Sequence, residues 1–125
     1  MRKRAPGLTP QELEIMKVVW PLGKATVRDV YEDLRTRRDV AYTTVQTMMN
    51  LLEGKGHLAK SPGPKAQLYA PTKPQAQVES GMVRDFVTRM FDGSARPLLV
   101  HLAKDASLTV RERRALERLI SEGEP

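Results

Sequence analysis

Residues Ala41 to Gly56 read AYTTVQTMMNLLEGKG, and the fold turns on which of them face inward. At roughly 100° per residue, Val45, Met48, Met49 and Leu52 recur at the i, i+3, i+4, i+7 spacing of a helix with one buried side. Opposite them lie Thr43, Gln46, Thr47 and Asn50, four uncharged residues of short or moderate reach. A solvated helix face ordinarily carries Lys and Glu instead. Amide side chains pair in bidentate fashion with the N6 and N7 edge of adenine, and a threonine offers a hydroxyl and a methyl to thymine. Two readings fit this face, a reader of the DNA major groove and an ordinary polar surface, and the helix alone does not separate them.

Upstream, Thr9-Pro10-Gln11-Glu12 combines an N-cap threonine, a proline at the first helical position and a glutamate three residues on, which makes a capping box. The helix that starts there carries Leu13, Met16, Val19 and Trp20 inward, with Trp20 as core, and Pro21 and Gly23 end it. Thr26 with Asp29 opens a second, shorter helix that runs to about Thr36 and buries Val27, Val30, Tyr31 and Leu34. Arg35, Arg37 and Arg38 then crowd the turn before Ala41, where a helix-turn-helix passes closest to the sugar-phosphate backbone. They are either phosphate contacts or a solvated charge cluster.

Downstream, Gly54 and Gly56 permit a left-handed helix end, and two short strands, 58–61 and 67–70, flank Pro62-Gly63-Pro64-Lys65-Ala66. This is a hairpin with the prolines in its tip, placing Lys60 and Lys65 beside the third helix as phosphate contacts. Three helices followed by a basic hairpin make a winged helix-turn-helix. In such folds the N-terminal half of the second helix of the motif enters the major groove. Thr43, Gln46 and Thr47 occupy that half and are the expected base contacts, with Asn50 a turn later and ranked below them. Thr44, about 100° round the helix, is expected to orient or to touch the backbone of the DNA.

Pro71 to Pro74 reads as a hinge between a domain spanning 1–73 and a second spanning 74–125. After it, Val78, Met82, Val83, Phe86, Val87, Met90 and Phe91 form an apolar stripe too wide for a 50-residue unit to hide. Leu98, Leu99, Val100 and Leu102 follow on a short helix, and Thr109-Val110-Arg111-Glu112 caps a last helix with Leu116, Leu119 and Ile120 inside. Burial is worth about 25 cal/mol per Å² of apolar surface, so a second copy covering this stripe is the economical outcome, the alternative being that the stripe packs back on the winged domain. Val83, Phe86, Val87, Met90, Phe91, Leu98, Leu99, Leu102, Leu116, Leu119 and Ile120 are therefore the expected dimerisation residues. The fold class is mainly α with a small β-hairpin wing, an N-terminal winged helix-turn-helix followed by a helical dimerisation domain.

Charge separates the same two parts. Residues 1–73 hold 13 Lys and Arg against 7 Asp and Glu, while residues 74–125 hold 8 against 8, so the whole excess of +6 lies in the first part. Phosphate neutralisation is a local requirement, and a basic module beside a neutral one fits a polyanion-binding domain joined to an assembly domain. The first residues, with Arg2, Lys3 and Arg4, read as a mobile charged arm. The chain has no cysteine, which excludes disulfides and Cys-based metal sites. No apolar run reaches the roughly 20 residues of a membrane span and no signal-peptide core follows the N-terminal charges, so a cytoplasmic protein is expected. Enzyme chemistry lacks a constellation: there is no Gly-rich phosphate loop and no HExxH, and His57 and His101 are far apart in sequence. His57 either ends the third helix or assists a phosphate; two isolated histidines make neither a zinc site nor a catalytic pair. No cofactor is expected.

The blocks LTPQELEIMKVVW, ATVRDVYEDL, RRDVAYTTVQTMMNLLEGKG and LYAP together resemble the BlaI/MecI/CopY family of bacterial penicillinase repressors over residues 8 to about 122. The resemblance implies a homodimer that represses transcription by occupying an inverted-repeat operator on double-stranded DNA, with half-sites similar to TACA/TGTA. Such adenines and thymines suit the Thr, Gln and Asn face. It also implies, for penicillinase-type members, a sensor protease that clips an Asn-Phe bond in the C-terminal domain. The chain departs from the family pattern at three places. Leu51 stands where an arginine often precedes the last leucine of the third helix, the Cys-rich copper motif is absent, and His101-Leu102 stands at the clipped bond. A winged-helix module that binds protein rather than DNA is the alternative, because fold alone does not settle function.

Overall fold

Cap chemistry sets where three of the helices begin. The computed structural model describes residues 7–105 and 107–123; the N-terminal arm with Arg2, Lys3 and Arg4 lies outside the described residues. In chain order the elements are α1 (Pro10–Leu22), α2 (Val27–Leu34), α3 (Tyr42–Gly54), β1 (Leu58–Ser61), β2 (Leu68–Pro71), α4 (Gln75–Phe91), α5 (Arg96–Lys104) and α6 (Val110–Gly123). Thr9 accepts from the Glu12 backbone N–H while the Thr9 N–H donates to the Glu12 carboxylate, at 3.1 and 2.9 Å. Thr26 with Asp29, and Thr109 with Glu112, close the same reciprocal pairs. Each satisfies two backbone N–H groups that would otherwise lack a partner. α3 differs, because its N-cap is Ala41, which has no side chain to donate or accept.

Helix ends are set as locally. At the end of α3 the His57 N–H donates to the Leu52 carbonyl at 2.9 Å and the Gly56 N–H to the Glu53 carbonyl at 3.1 Å. That 6→1 and 5→2 pattern is a Schellman motif, and it places Gly56 at φ +90°, where a Cβ would be strained. His57 thus takes its place in the helix end. α1 runs one residue past Pro21 and ends against Gly23, at φ +79°. α2 stops at Leu34, two residues short of the expected Thr36, and the chain turns through Arg35 to Arg37.

The first unit comprises the chain up to Val78 and the second runs from Glu79. That division falls inside α4, five residues past the hinge expected at 73/74. The Thr72 hydroxyl donates to the Gly56 carbonyl at 2.7 Å, and the Trp20 indole N–H donates to the Lys73 carbonyl at 3.3 Å. Trp20 is half-buried and packs against the core, its indole N–H reaching the exit from the wing. The core of the first unit is α1 (Ile15, Met16, Val18, Val19) against α2 (Val27, Val30, Leu34), α3 (Val45, Met49, Leu52) and the wing (Leu58, Tyr69). α1 buries more of its circumference than the expected stripe, since α2, α3 and β2 all pack on it.

The wing is a two-stranded antiparallel sheet with Leu58 opposite Pro71, Ala59 opposite Ala70, Lys60 opposite Tyr69 and Ser61 opposite Leu68. β2 is displaced by one residue from the expected 67–70, so Gln67 joins the tip and Pro71 ends the strand, a position where a missing donor is tolerated. In the tip, a Cβ on Gly63 would come within 2.4 Å of the Ala66 carbonyl oxygen, so only glycine fits without a shift.

Among the described residues, Glu12 is the one charged side chain that is buried, 3 % exposed. Its carboxylate accepts from the Lys55 ammonium at 2.7 Å, joining the start of α1 to the end of α3. Burial pushes its pKa up, but the Lys55 hydrogen bond and charge, with the Thr9 N–H, outweigh burial and hold it below the ordinary 4.5. A carboxyl whose folded pKa is depressed contributes stability above its unfolded value, lost as pH falls through the folded one. Glu12→Gln is expected to lower stability at pH 7 by about 1–3 kcal/mol. Urea denaturation should show that difference shrinking below pH 4; a gap that persists at low pH refutes the ion-pair account.

Candidate nucleic-acid interface

With Val45, Met49 and Leu52 held inward, Thr43, Gln46, Thr47 and Asn50 are all exposed on the outer crest of α3. Open clefts flank that crest. On the wing side, a cleft of about 500 Å³ is lined by Arg28, Tyr42, Gln46, Lys65, Gln67 and Tyr69. On the other, one of about 480 Å³ is lined by Gln11, Thr43, Thr44, Thr47 and Leu51. Gln46 therefore stands next to the wing, whereas Thr44 faces the start of α1, consistent with the 100° between its direction and the centre of the crest. Leu51, where an arginine was expected by resemblance, is 53 % exposed on the same side as Thr44.

The cations of the α2–α3 turn already have partners. The Arg35 guanidinium donates to the Glu32 carboxylate at 3.0 Å and that of Arg37 to Asp33. Both pairs are solvent-exposed and lie within one helical turn, the kind worth about 0–1 kcal/mol and readily exchanged for another anion. Arg38 is held differently: it reaches back to α1 and grips Glu14 through Nε and Nη2, at 2.7 to 3.2 Å. This hydrogen bond keeps the Glu14 carboxyl below the usual carboxylate range. The sequence placed these three arginines in one class, but the structure separates Arg38 as a tie between the turn and α1. No local pattern pairs residues 24 apart.

On the wing, Lys60 lies with its ammonium 5.7 Å from the centre of the Tyr69 ring, and Lys65 lines the cleft beside Gln46. Tyr69 is 3 % exposed, and its hydroxyl donates to the Asn50 side-chain carbonyl at 2.8 Å. Burial, with Glu53 nearby, pushes its phenol above the ordinary value. This link between the wing and the crest was not legible in the sequence.

The candidate dimerisation residues fall into three classes of exposure. Val87 is buried, and Phe91, Leu98, Leu99, Leu116 and Ile120 are half-buried. Val83, Phe86, Met90, Leu102 and Leu119 are exposed, Met90 at 62 % and Leu119 at 67 %. His101 lies in α5 with its ring 6.1 Å from that of Phe91. Among the described residues, no group of three or more His, Asp or Glu side chains is placed to hold a metal ion, and no helix is long and apolar enough to cross a membrane.

Comparison with known proteins gives this arrangement a lineage. The transcriptional regulator BlaI of Mycobacterium tuberculosis is 33% identical over 113 residues, covering 89% of this chain and 80% of that protein. The penicillinase repressor of Bacillus licheniformis is 23% identical over 120 residues, covering 96% of this chain and 94% of that one. The solution structure of Bacillus licheniformis BlaI, in its monomeric form in complex with the blaP half-operator, aligns with a TM-score of 0.51 at 28% identity, over 60% of this chain and 92% of that one. The profile of the penicillinase repressor family matches residues 8–122. From the first capping box to the last helix, this chain belongs to the penicillinase repressor family.

Proposed function

We propose that the chain is a transcriptional repressor that binds an inverted-repeat operator as a homodimer and blocks the promoter it covers, acting in the cytoplasm without enzymatic chemistry. The observation that carries this reading is the uncharged crest of α3, exposed between two clefts with lysines on the wing beside it. Gln46 and Thr47 read bases, with Thr43 beside them. Thr44, Arg35, Arg37, Lys60 and Lys65 meet the phosphates, while Arg38 adds positive potential from its tie to Glu14. The N-terminus of α3, with no side-chain cap, adds the positive end of a helix dipole. That a family relative has been solved on a half-operator supports the same docking.

The division of labour follows the charge. The basic winged unit, residues 1–73, binds DNA, and residues 74–125 assemble the dimer. Val83, Phe86 and Met90 are exposed at 41 to 62 % in the isolated chain. Side chains this apolar at this exposure are covered by a second copy, which links two half-sites and converts the second binding event into an intramolecular one.

Gel shift against the DNA upstream of its own coding sequence, over a series of salt concentrations, is the direct test. Binding to phosphate gives a steep log–log dependence on salt, and a flat response would favour a protein-binding module. Gln46→Ala should cost about 1–3 kcal/mol on the operator and little on scrambled DNA; unchanged discrimination would mean that α3 docks in another register. Lys65→Ala should weaken binding to every duplex alike and lower the salt slope by about one unit. For assembly, the double substitution Phe86→Glu with Met90→Glu should give a folded monomer by sedimentation where the parent chain sediments as a dimer. A parent that is monomeric at micromolar concentration removes the dimer from this reading.

A further inference from the structure

Tyr69 sits where three elements meet. Its backbone N–H donates to the Ala25 carbonyl at 2.8 Å and its carbonyl accepts from the Ala25 N–H at 3.0 Å, which ties β2 to the segment that leads into α2. Its ring supports Lys60, its cross-strand partner on β1. Its hydroxyl crosses to α3 and donates to Asn50 Oδ1 at 2.8 Å. Tyr69 is buried and Asn50 is exposed, so the hydrogen bond joins a fixed group to one on the crest.

An unrestrained asparagine presents either its carbonyl or its amide to a neighbour, since the two ends differ only by a rotation about χ2. With the Tyr69 hydroxyl donating to Oδ1, the amide is held with Nδ2–H₂ outward as a donor. We infer that Tyr69 is a positioning residue for DNA recognition, one that locks the Asn50 amide so that it presents a donor to an acceptor on the operator, and so makes the wing part of the sequence-reading surface. Asn50 thereby stands above its expected rank. A turn beyond Thr47, it is prepaid in orientation, and an ordered side chain loses less entropy on binding. The inference rests on the operator-binding reading above.

The test uses full-length protein and a duplex that the parent chain enriches from a randomised pool, compared with a scrambled duplex of the same composition. Tyr69→Phe removes one hydroxyl and keeps the buried ring. It is expected to retain the thermal transition and the salt slope while the ratio of affinities for enriched and scrambled duplex falls about five- to tenfold. Asn50→Ala should lower the ratio by a similar factor, and the double variant should lose no more than either alone, because both remove one unit. Asn50→Asp, isosteric but with no amide donor, should be at least as defective as Asn50→Ala. Losses that multiply in the double variant, an unchanged ratio in Tyr69→Phe, or full discrimination in Asn50→Asp would each overturn the inference. A parent chain that enriches no sequence overturns the operator-binding reading as well, which separates the two failures.

Discussion

Val45, Met49 and Leu52, each at most 1 % exposed, are the contact on which the rest of the winged unit depends. Burying all three against α1 and α2 fixes the rotation of α3 about its own axis, because side chains on one helix keep fixed angles to one another. Deleting one such side chain costs about 2–5 kcal/mol, comparable with much of the stability of a small domain. The crest of α3 is consequently not free to turn: Thr43, Gln46, Thr47 and Asn50 face outward because their neighbours cannot. On the proposed reading recognition is a by-product of core packing, since the same apolar spacing that folds the unit aims its polar residues.

Around that axis the structure adds ties between residues far apart in the chain. Glu12 and Lys55 join the start of α1 to the end of α3, Glu14 and Arg38 join α1 to the turn before α3, and Tyr69 joins the wing to α3 and to the segment before α2. Each spans more than a dozen residues and each bears on where α3 sits. Exposed pairs such as Arg35 with Glu32 are weak and exchangeable, whereas the Glu12 pair lies in the core, where removing one partner strands the other. The cations near α3 thus divide into those that hold the helix and those available to a polyanion, a distinction that total charge does not reveal.

The second unit follows a different logic. Its helices leave Val83, Met90, Val110 and Leu119 more than half exposed, which a unit running only from Glu79 to the end of the chain tolerates poorly when apolar surface costs about 25 cal/mol per Å². A unit this small is economical only if its hydrophobic face is shared, and its neutral charge balance removes the repulsion that would oppose pairing.

Much of this was determined by the sequence alone. The capping boxes at Thr9, Thr26 and Thr109, the helix end at Gly56, the hairpin after α3 and the two faces of α3 all depend on residues near one another in the chain, through backbone hydrogen bonds, turn chemistry and helical periodicity. Family membership was legible for the same reason, in contiguous blocks. Where a decision needed residues distant in the chain, local pattern was silent. It placed β2 one residue early, was silent on the bond from the Trp20 indole to the Lys73 carbonyl, and grouped Arg38 with Arg35 and Arg37 although Arg38 is tied to Glu14. The orientation of Asn50 belongs to this second class: periodicity put it on the crest, but only the packing of β2 beside α3 brought the Tyr69 hydroxyl to its carbonyl, since tertiary contacts are chosen by shape and unsatisfied hydrogen bonds across the whole fold.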